Sequence, residues 1–171
     1  MSAAPRWNRR LTTWPTLGTL VLLAACAAPV FPTPGQPRET VLQAWDPPTG
    51  RYALPDGGER LEYASGPYGR TTWMVDIDAD GRVRGAAQVL NEMHFLDFQA
   101  RAPGMTREQV LLELGRPGET QAIGWLGDTL WSWRYPTNDC LWFQVQFDRA
   151  GLAKSASYNI DRRCDPPTGW R

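Results

Sequence analysis

Residues 104–119, GMTREQVLLELGRPGE, carry their own punctuation, and residues 35–42, GQPRETVL, echo their first half. Thr106 is a favoured helix N-cap. Gln109, three residues on, completes a capping-box pattern in which each side chain meets the other residue's backbone N–H. Val110, Leu111 and Leu114 then share one face at helical spacing, and Gly115 followed by Pro117 stops the helix. In the earlier copy Pro37 suits the first helical turn, where its missing N–H costs nothing, and Val41, Leu42 and Trp45 supply the apolar stripe. The two stretches lie 69 residues apart, and the same offset pairs Pro48 with Pro117.

Outward from these helices the chain goes on repeating itself. Trp73, Val75, Ile77, Asp78 and Gly81 match Phe143, Val145, Phe147, Asp148 and Gly151 at an offset of 70. One residue inserted between helix and sheet reconciles the offsets, because a one-residue slip inside a strand would turn each side chain to the other face. Trp131, Trp133 and Tyr135 alternate in one expected strand, and Leu141, Phe143, Val145 and Phe147 in the next. Asp148 to Gly151 reads as a hairpin turn into a weaker strand over 152–160. In the first copy Leu61 and Tyr63, then Trp73, Val75 and Ile77, give two strands, joined to a third by the Asp80-Gly81 turn. Residues 92–98 read as a short linking helix. The pattern predicts an α+β chain of two tandem units, residues 35–90 and 91–171, the second ending in a tail. Each is expected to pack its helices on one face of a three-stranded antiparallel meander.

The N-terminus has a different character. Arg6, Arg9 and Arg10 precede a short apolar run over 17–23, with no acidic residue near them. A bilayer span needs about 20 apolar residues, so the run reads as a secretory signal over 1–25. It ends in Leu23-Ala24-Ala25-Cys26, which resembles the lipobox of bacterial lipoprotein precursors. That resemblance implies cleavage before Cys26 and acylation of its thiol, and Ala27 and Ala28 imply sorting to the outer membrane. The competing reading is an ordinary signal peptide with Cys26 incidental. The Arg9-Arg10 pair also fits twin-arginine export, though weakly. Residues 26–34 are proline-rich and read as an extended tether. All 18 acidic residues follow position 25 and 15 of the 18 basic ones do, so the exported chain carries a net charge of −3. That balance offers no basic footprint for nucleic acid and no polybasic segment for anionic lipid, so membrane attachment rests on acyl chains.

Several sites look chemical at first reading. Residues 76–81, DIDADG, begin like a calcium-binding EF-hand loop, but the twelfth position, which needs a glutamate, is Ala87. A hairpin turn explains the spacing better. His94 is the only histidine, and no C-x-x-C spacing exists, so no metal site and no cofactor is implied. No nucleophile elbow or phosphate loop occurs, and no catalytic residue is assigned. Of the nine tryptophans, Trp45, Trp73, Trp131 and Trp133 fall on apolar faces and read as core. Trp142 alternates to the other face with Gln144 and Gln146, which makes an exposed aromatic anchor for a partner, with Arg134 beside it. Cys140 and Cys164 remain, an even pair in an oxidising compartment, and are expected to form a disulfide. Two separate free thiols are the alternative. A turn over 148–151 places Cys140 opposite Asn159, so the chain must fold back within 160–163 before the sulfurs can meet.

A G-M-T/S-x-x-x-V-x-x-x-L-G-x-P stretch followed by aromatic-rich strands resembles the SmpA/OmlA (BamE-like) family of outer-membrane lipoproteins. The match is clearest over residues 92–160 and fainter over 35–90. The resemblance implies a non-catalytic scaffold or accessory factor in β-barrel protein assembly or envelope integrity. Its partners would be envelope proteins, including the β-barrel assembly machinery. The tandem form departs from the family's single unit. It is similar in architecture to β-lactamase inhibitor protein, which implies instead a tethered inhibitor or binding protein for a periplasmic enzyme or ligand.

Overall fold

Two aspartate-to-glycine turns organise the sheets. Asp78 donates its backbone N–H to the Arg82 carbonyl (2.8 Å), and Gly81, at φ +76°, donates to the Asp78 carbonyl (3.1 Å). Asp148, Leu152 and Gly151 (φ +85°) repeat this at 2.9 and 3.0 Å. In both turns the aspartate Oδ1 accepts the N–H that follows the glycine, at 2.8 Å from Arg82 and 2.9 Å from Leu152. Glycine is favoured where φ is positive, and a β-bulge follows in each hairpin, beside Ile77 and beside Phe147.

The computed structural model describes residues 31–65, 70–125 and 127–164. The signal segment, Cys26 and the tail over 165–171 lie outside the described residues. The elements run α1 (Arg38–Ala44), β1 (Gly50–Ala53), β2 (Glu59–Ala64), β3 (Thr72–Ile77), β4 (Val83–Gln88), α2 (Glu92–Arg101) and α3 (Arg107–Leu114). They continue through β5 (Glu119–Ile123), β6 (Asp128–Arg134), β7 (Leu141–Phe147) and β8 (Ala153–Ile160) to a 3-10 turn, Arg162–Cys164. The chain is a mixed α+β fold, mostly strand. It has two antiparallel sheets in the orders β1-β2-β3-β4 and β5-β6-β7-β8. Each sheet therefore has four strands where the sequence pattern predicts three. The extra ones, β1 and β5, are edge strands reading GRYA and ETQAI, too short and too polar to show an apolar alternation.

The capping box forms at α3: Gln109 donates its N–H to Thr106 Oγ1 (3.3 Å), and Thr106 donates its own to Gln109 Oε1 (2.8 Å). Helices α2 and α3 lie against the inner face of the second sheet. Phe95, Phe98, Val110 and Leu114 join Trp133, Phe143, Val145 and Phe147 there in one buried cluster. Met74 of β3 belongs to that cluster too, with Tyr52 packed beside it. The first sheet thus carries buried residues on both faces. Val41 of α1 packs with Leu61, Val75 and Ile77 on one, while Glu62, Thr72 and Met74 are buried on the other. Polar contacts close this seam. Glu62 accepts from Thr49 (3.0 Å), from Tyr52 and from the Arg116 N–H (3.3 Å). Arg60 holds Asp76 with two bonds (2.6 and 2.8 Å) and donates to the Leu112 carbonyl at 2.6 Å. Burial and the Glu62 carboxylate push the Tyr52 phenol well above its ordinary value, so it stays a donor.

The register of β7 on β8 differs from expectation. Trp142 pairs with Asn159, which puts Cys140 in line with Asp161, whose N–H donates to the Cys140 carbonyl (2.8 Å). The turn closes on Leu152 rather than Gly151, and the bulge adds one more residue; together they move the pairing by two. The 3-10 turn then carries Cys164 back, its N–H donating to the Asp161 carbonyl (2.9 Å). Its Cα comes to 6.0 Å from that of Cys140, within the range a disulfide spans.

Candidate functional site

Alternation along β6, β7 and β8 places three cross-strand rows on the outer face of the second sheet. They are Arg134–Trp142–Asn159, Ser132–Gln144–Ser157 and Leu130–Gln146–Ser155. The four residues singled out from the sequence, Arg134, Trp142, Gln144 and Gln146, do share this face. Trp142 is not exposed on it, however, being 3% accessible. The Arg134 guanidinium lies 4.9 Å from its ring centroid, in cation–π range. Asp161 clamps that guanidinium through Nε and through Nη2 (2.9 Å). Neighbours long enough to lie over an indole therefore cover it, which alternation alone does not reveal. Gln144 is buried and donates to Ser132 Oγ (2.9 Å), while Gln146 shares Asp128 with Lys154 (2.9 and 2.8 Å). The Asp161 hydrogen bond raises the Arg134 pKa, and Arg134 together with the Arg163 N–H lowers that of Asp161. An open groove of about 320 Å³ remains, lined by Leu130, Trp142, Gln144, Asn159, Ile160 and Arg162. Ile160 stands 67% exposed at its edge. This face is a braced, charge-matched surface.

A second surface lies on the first sheet, where sequence reasoning placed only core. Trp45 at the end of α1, Tyr63 on β2 and Trp73 on β3 meet edge to face, with centroids 4.9 Å apart for Trp45–Tyr63 and 6.4 Å for Trp45–Trp73. Phe31 sits 5.1 Å from Trp73 and 6.0 Å from Trp45. An open groove of about 500 Å³ runs beside them, lined also by Asp46, Pro47, Thr49 and Ser65. Trp45 and Trp73 are half-buried, and burial raises the pKa of Tyr63, whose hydroxyl has no hydrogen-bond partner among the described residues. The end of the tether belongs to the fold: Pro32 is buried, and Gly35, just beyond the tether, donates its N–H to the Val83 carbonyl (2.8 Å).

The other sequence candidates have structural roles. Asp76 is bound by Arg60, and Asp78 caps its own turn through the Asp80 N–H (3.0 Å) and the Arg82 N–H, so the aspartates of residues 76–81 do not converge on one point. The His94 Nε2 lies 3.2 Å from the Glu113 carbonyl and links α2 to α3. Among the described residues no group of three or more His, Cys, Asp or Glu side chains is arranged to hold a metal, and no helix is long and apolar enough to cross a membrane.

No family model matches this chain, and no curated protein matches it. A solved structure of an extracellular protein containing a SCP domain from Bacillus anthracis str. Ames aligns at 11% identity and a TM-score of 0.28. The alignment covers 97% of this chain and 53% of the other, so the chain spans about half that protein's length. A likeness at that TM-score carries no argument about function.

Proposed function

We propose that this chain is a lipid-anchored, non-catalytic lipoprotein on the periplasmic face of the outer membrane. On this reading it is a tandem relative of the SmpA/OmlA type, serving as a scaffold or accessory factor in β-barrel protein assembly or envelope integrity. The observation that carries the reading is the capped, glycine-stopped helix α3 seated on an aromatic sheet, in a chain whose N-terminus reads as a lipobox. The two sheets support the tandem part. Each is a meander preceded by a helix, and their last hairpins, β3–β4 and β7–β8, share turn residues and bulge position. Fold alone does not assign the partner. Crosslinking in intact cells followed by capture of the acylated protein from the solubilised envelope tests it. Barrel-assembly components in the captured complex support scaffolding. Stoichiometric recovery of one soluble periplasmic hydrolase, inhibited on addition of the pure chain, would replace it with the inhibitor reading.

A further inference from the structure

We propose that the aromatic patch of Phe31, Trp45 and Trp73 rests on the membrane itself, in the interfacial layer of the leaflet that holds the lipid on Cys26. The proposal builds on the lipoprotein reading and adds the face the protein turns to the bilayer.

Chain length is the first argument. Five peptide steps separate Cys26 from Phe31, and fully extended they reach at most about 18 Å. The headgroup layer of one leaflet takes up about 5–8 Å of that. Phe31 is therefore held within about 10–13 Å of the membrane surface whatever path the linking residues take. It is not free to swing away from the fold. Pro32 is buried behind it, the Gly35 and Arg38 N–H groups are bonded to the Val83 and Gly81 carbonyls (2.8 and 2.9 Å), and its ring lies against Trp73. A short leash on a residue fixed to the patch brings the patch to the surface.

The second argument compares the two sheets. Phe143, the counterpart of Trp73, is fully buried because α2 covers it: Phe95 stacks on it at 4.1 Å, and Phe98 meets it at 5.9 Å. Moving the α2 bounds back by the 69-residue offset gives residues 23–32, the run that contains Cys26. In sequence, the segment that corresponds to the second sheet's covering helix is therefore the one that carries the proposed lipid anchor. Trp73 is left half-buried and Phe31 53% exposed. Tryptophan and tyrosine, apolar bodies with one polar tip, are the side chains that settle at the headgroup level. The cations nearby do not supply the attraction, since Arg38 and Arg51 both pair with Glu59. The contact is aromatic and therefore insensitive to salt.

Depth-dependent quenching tests this. The acylated protein is reconstituted into phosphatidylethanolamine/phosphatidylglycerol vesicles containing phospholipids brominated near the glycerol end. In a parallel arm the mature chain is coupled through Cys26 to a maleimide phospholipid in the same vesicles, with the coupling site confirmed by peptide mass. The coupled arm imposes the anchor, so it judges the patch even if natural Cys26 proves unacylated, a result that would overturn only the lipoprotein reading. The expected result is quenching that persists in high salt and is mostly lost in the Trp45→Phe/Trp73→Phe double variant. Phe31→Ser, which removes an exposed ring and leaves the core intact, should weaken it. A flexible insert of about 20 residues after Ala28 should lower it several-fold by diluting the patch away from the surface. No quenching in the coupled arm, or quenching unchanged in the double variant, overturns the proposal. So does concentration-dependent self-association that shields the same tryptophans, which would give the patch to a second copy.

Discussion

Replacing Gly115 by alanine should be among the most damaging single-methyl changes available to this protein. Gly115 ends α3 at φ +73°, ψ −169°, a backbone region essentially closed to residues with a Cβ. Holding alanine there costs about 1–3 kcal/mol. The added methyl would also stand 3.0 Å from Glu62 Cδ, 3.0 Å from Thr72 Cγ2 and 3.1 Å from Met74 Cε. All three are buried on the first sheet's seam face, so little can give way. Overpacking of this kind adds about 1–3 kcal/mol. The sum, about 2–6 kcal/mol, is a large share of the roughly 5–15 kcal/mol that holds a domain together. The control is Gly104→Ala, where φ is +85° but nothing lies within 4 Å of the new methyl, leaving only the backbone cost. Urea unfolding followed by tryptophan fluorescence reads both, and Trp133 reports on the site because its indole donates to the Gly115 carbonyl (3.1 Å). If Gly115→Ala costs no more than Gly104→Ala, the seam does not press on Gly115 and the packing of the first sheet on α3 is wrong.

Three further outcomes follow from the same geometry. Thr106→Ala removes the acceptor of the Gln109 N–H and should lower the unfolding free energy by about 1 kcal/mol, read as a lower urea midpoint at unchanged slope; no shift would show the capping box to be idle. Because Arg134 holds the Asp161 carboxyl below its ordinary value, the pair's stabilisation is full at neutral pH and fades once pH drops below the ordinary carboxyl value of about 4. It is gone below the folded-state value. The gap in melting temperature between wild type and Asp161→Asn should therefore close in acid, and a gap that stays constant there would refute the pairing. Protein from the periplasm, alkylated without reduction, should leave Cys140 and Cys164 unlabelled, and reductant should cost about 3 kcal/mol for a loop of their separation of 24 residues. Two labelled cysteines would disprove the bond, and an unchanged melting curve in reductant would deny it a structural role.

The parts of this fold that are legible in the sequence are those decided within a few residues. Thr106 with Gln109, Gly115 after Leu114, and the Asp-to-Gly hairpins each satisfy their own backbone groups, so local chemistry names them without tertiary knowledge. The apolar alternation of β3 and β7 reads equally well because both are central strands. The edge strands β1 and β5 escape notice because pairing on one side only lets them be short and polar. The β7–β8 register escapes the sequence for a subtler reason. Asp148 and Gly151 announce a turn, but that it closes on Leu152 and is followed by a bulge depends on Gly151 at positive φ, and the resulting two-residue shift carries Cys140 from Asn159 to Asp161.

Burial of a strand face is not a property of the strand, and Trp142 and Trp73 err in opposite directions for that reason. Alternation placed Trp142 among glutamines and suggested exposure; Arg134, fixed by Asp161, lies over its ring instead. Alternation placed Trp73 among valine and isoleucine and suggested core. Val75 is indeed sealed beneath α1, yet Trp73 stays half-open because, among the described residues, no helix does for it what α2 does for Phe143. A hint of the second case was present in the offset that reveals the repeat. Subtracting 69 from the α2 bounds lands on residues 23–32, so the sequence segment that matches the covering helix is the one that carries the expected lipid-attachment cysteine, Cys26. A covered face needs a coverer in the sequence. When the matching segment has another task, the face below it is the place to look for a surface that completes itself against something outside the chain.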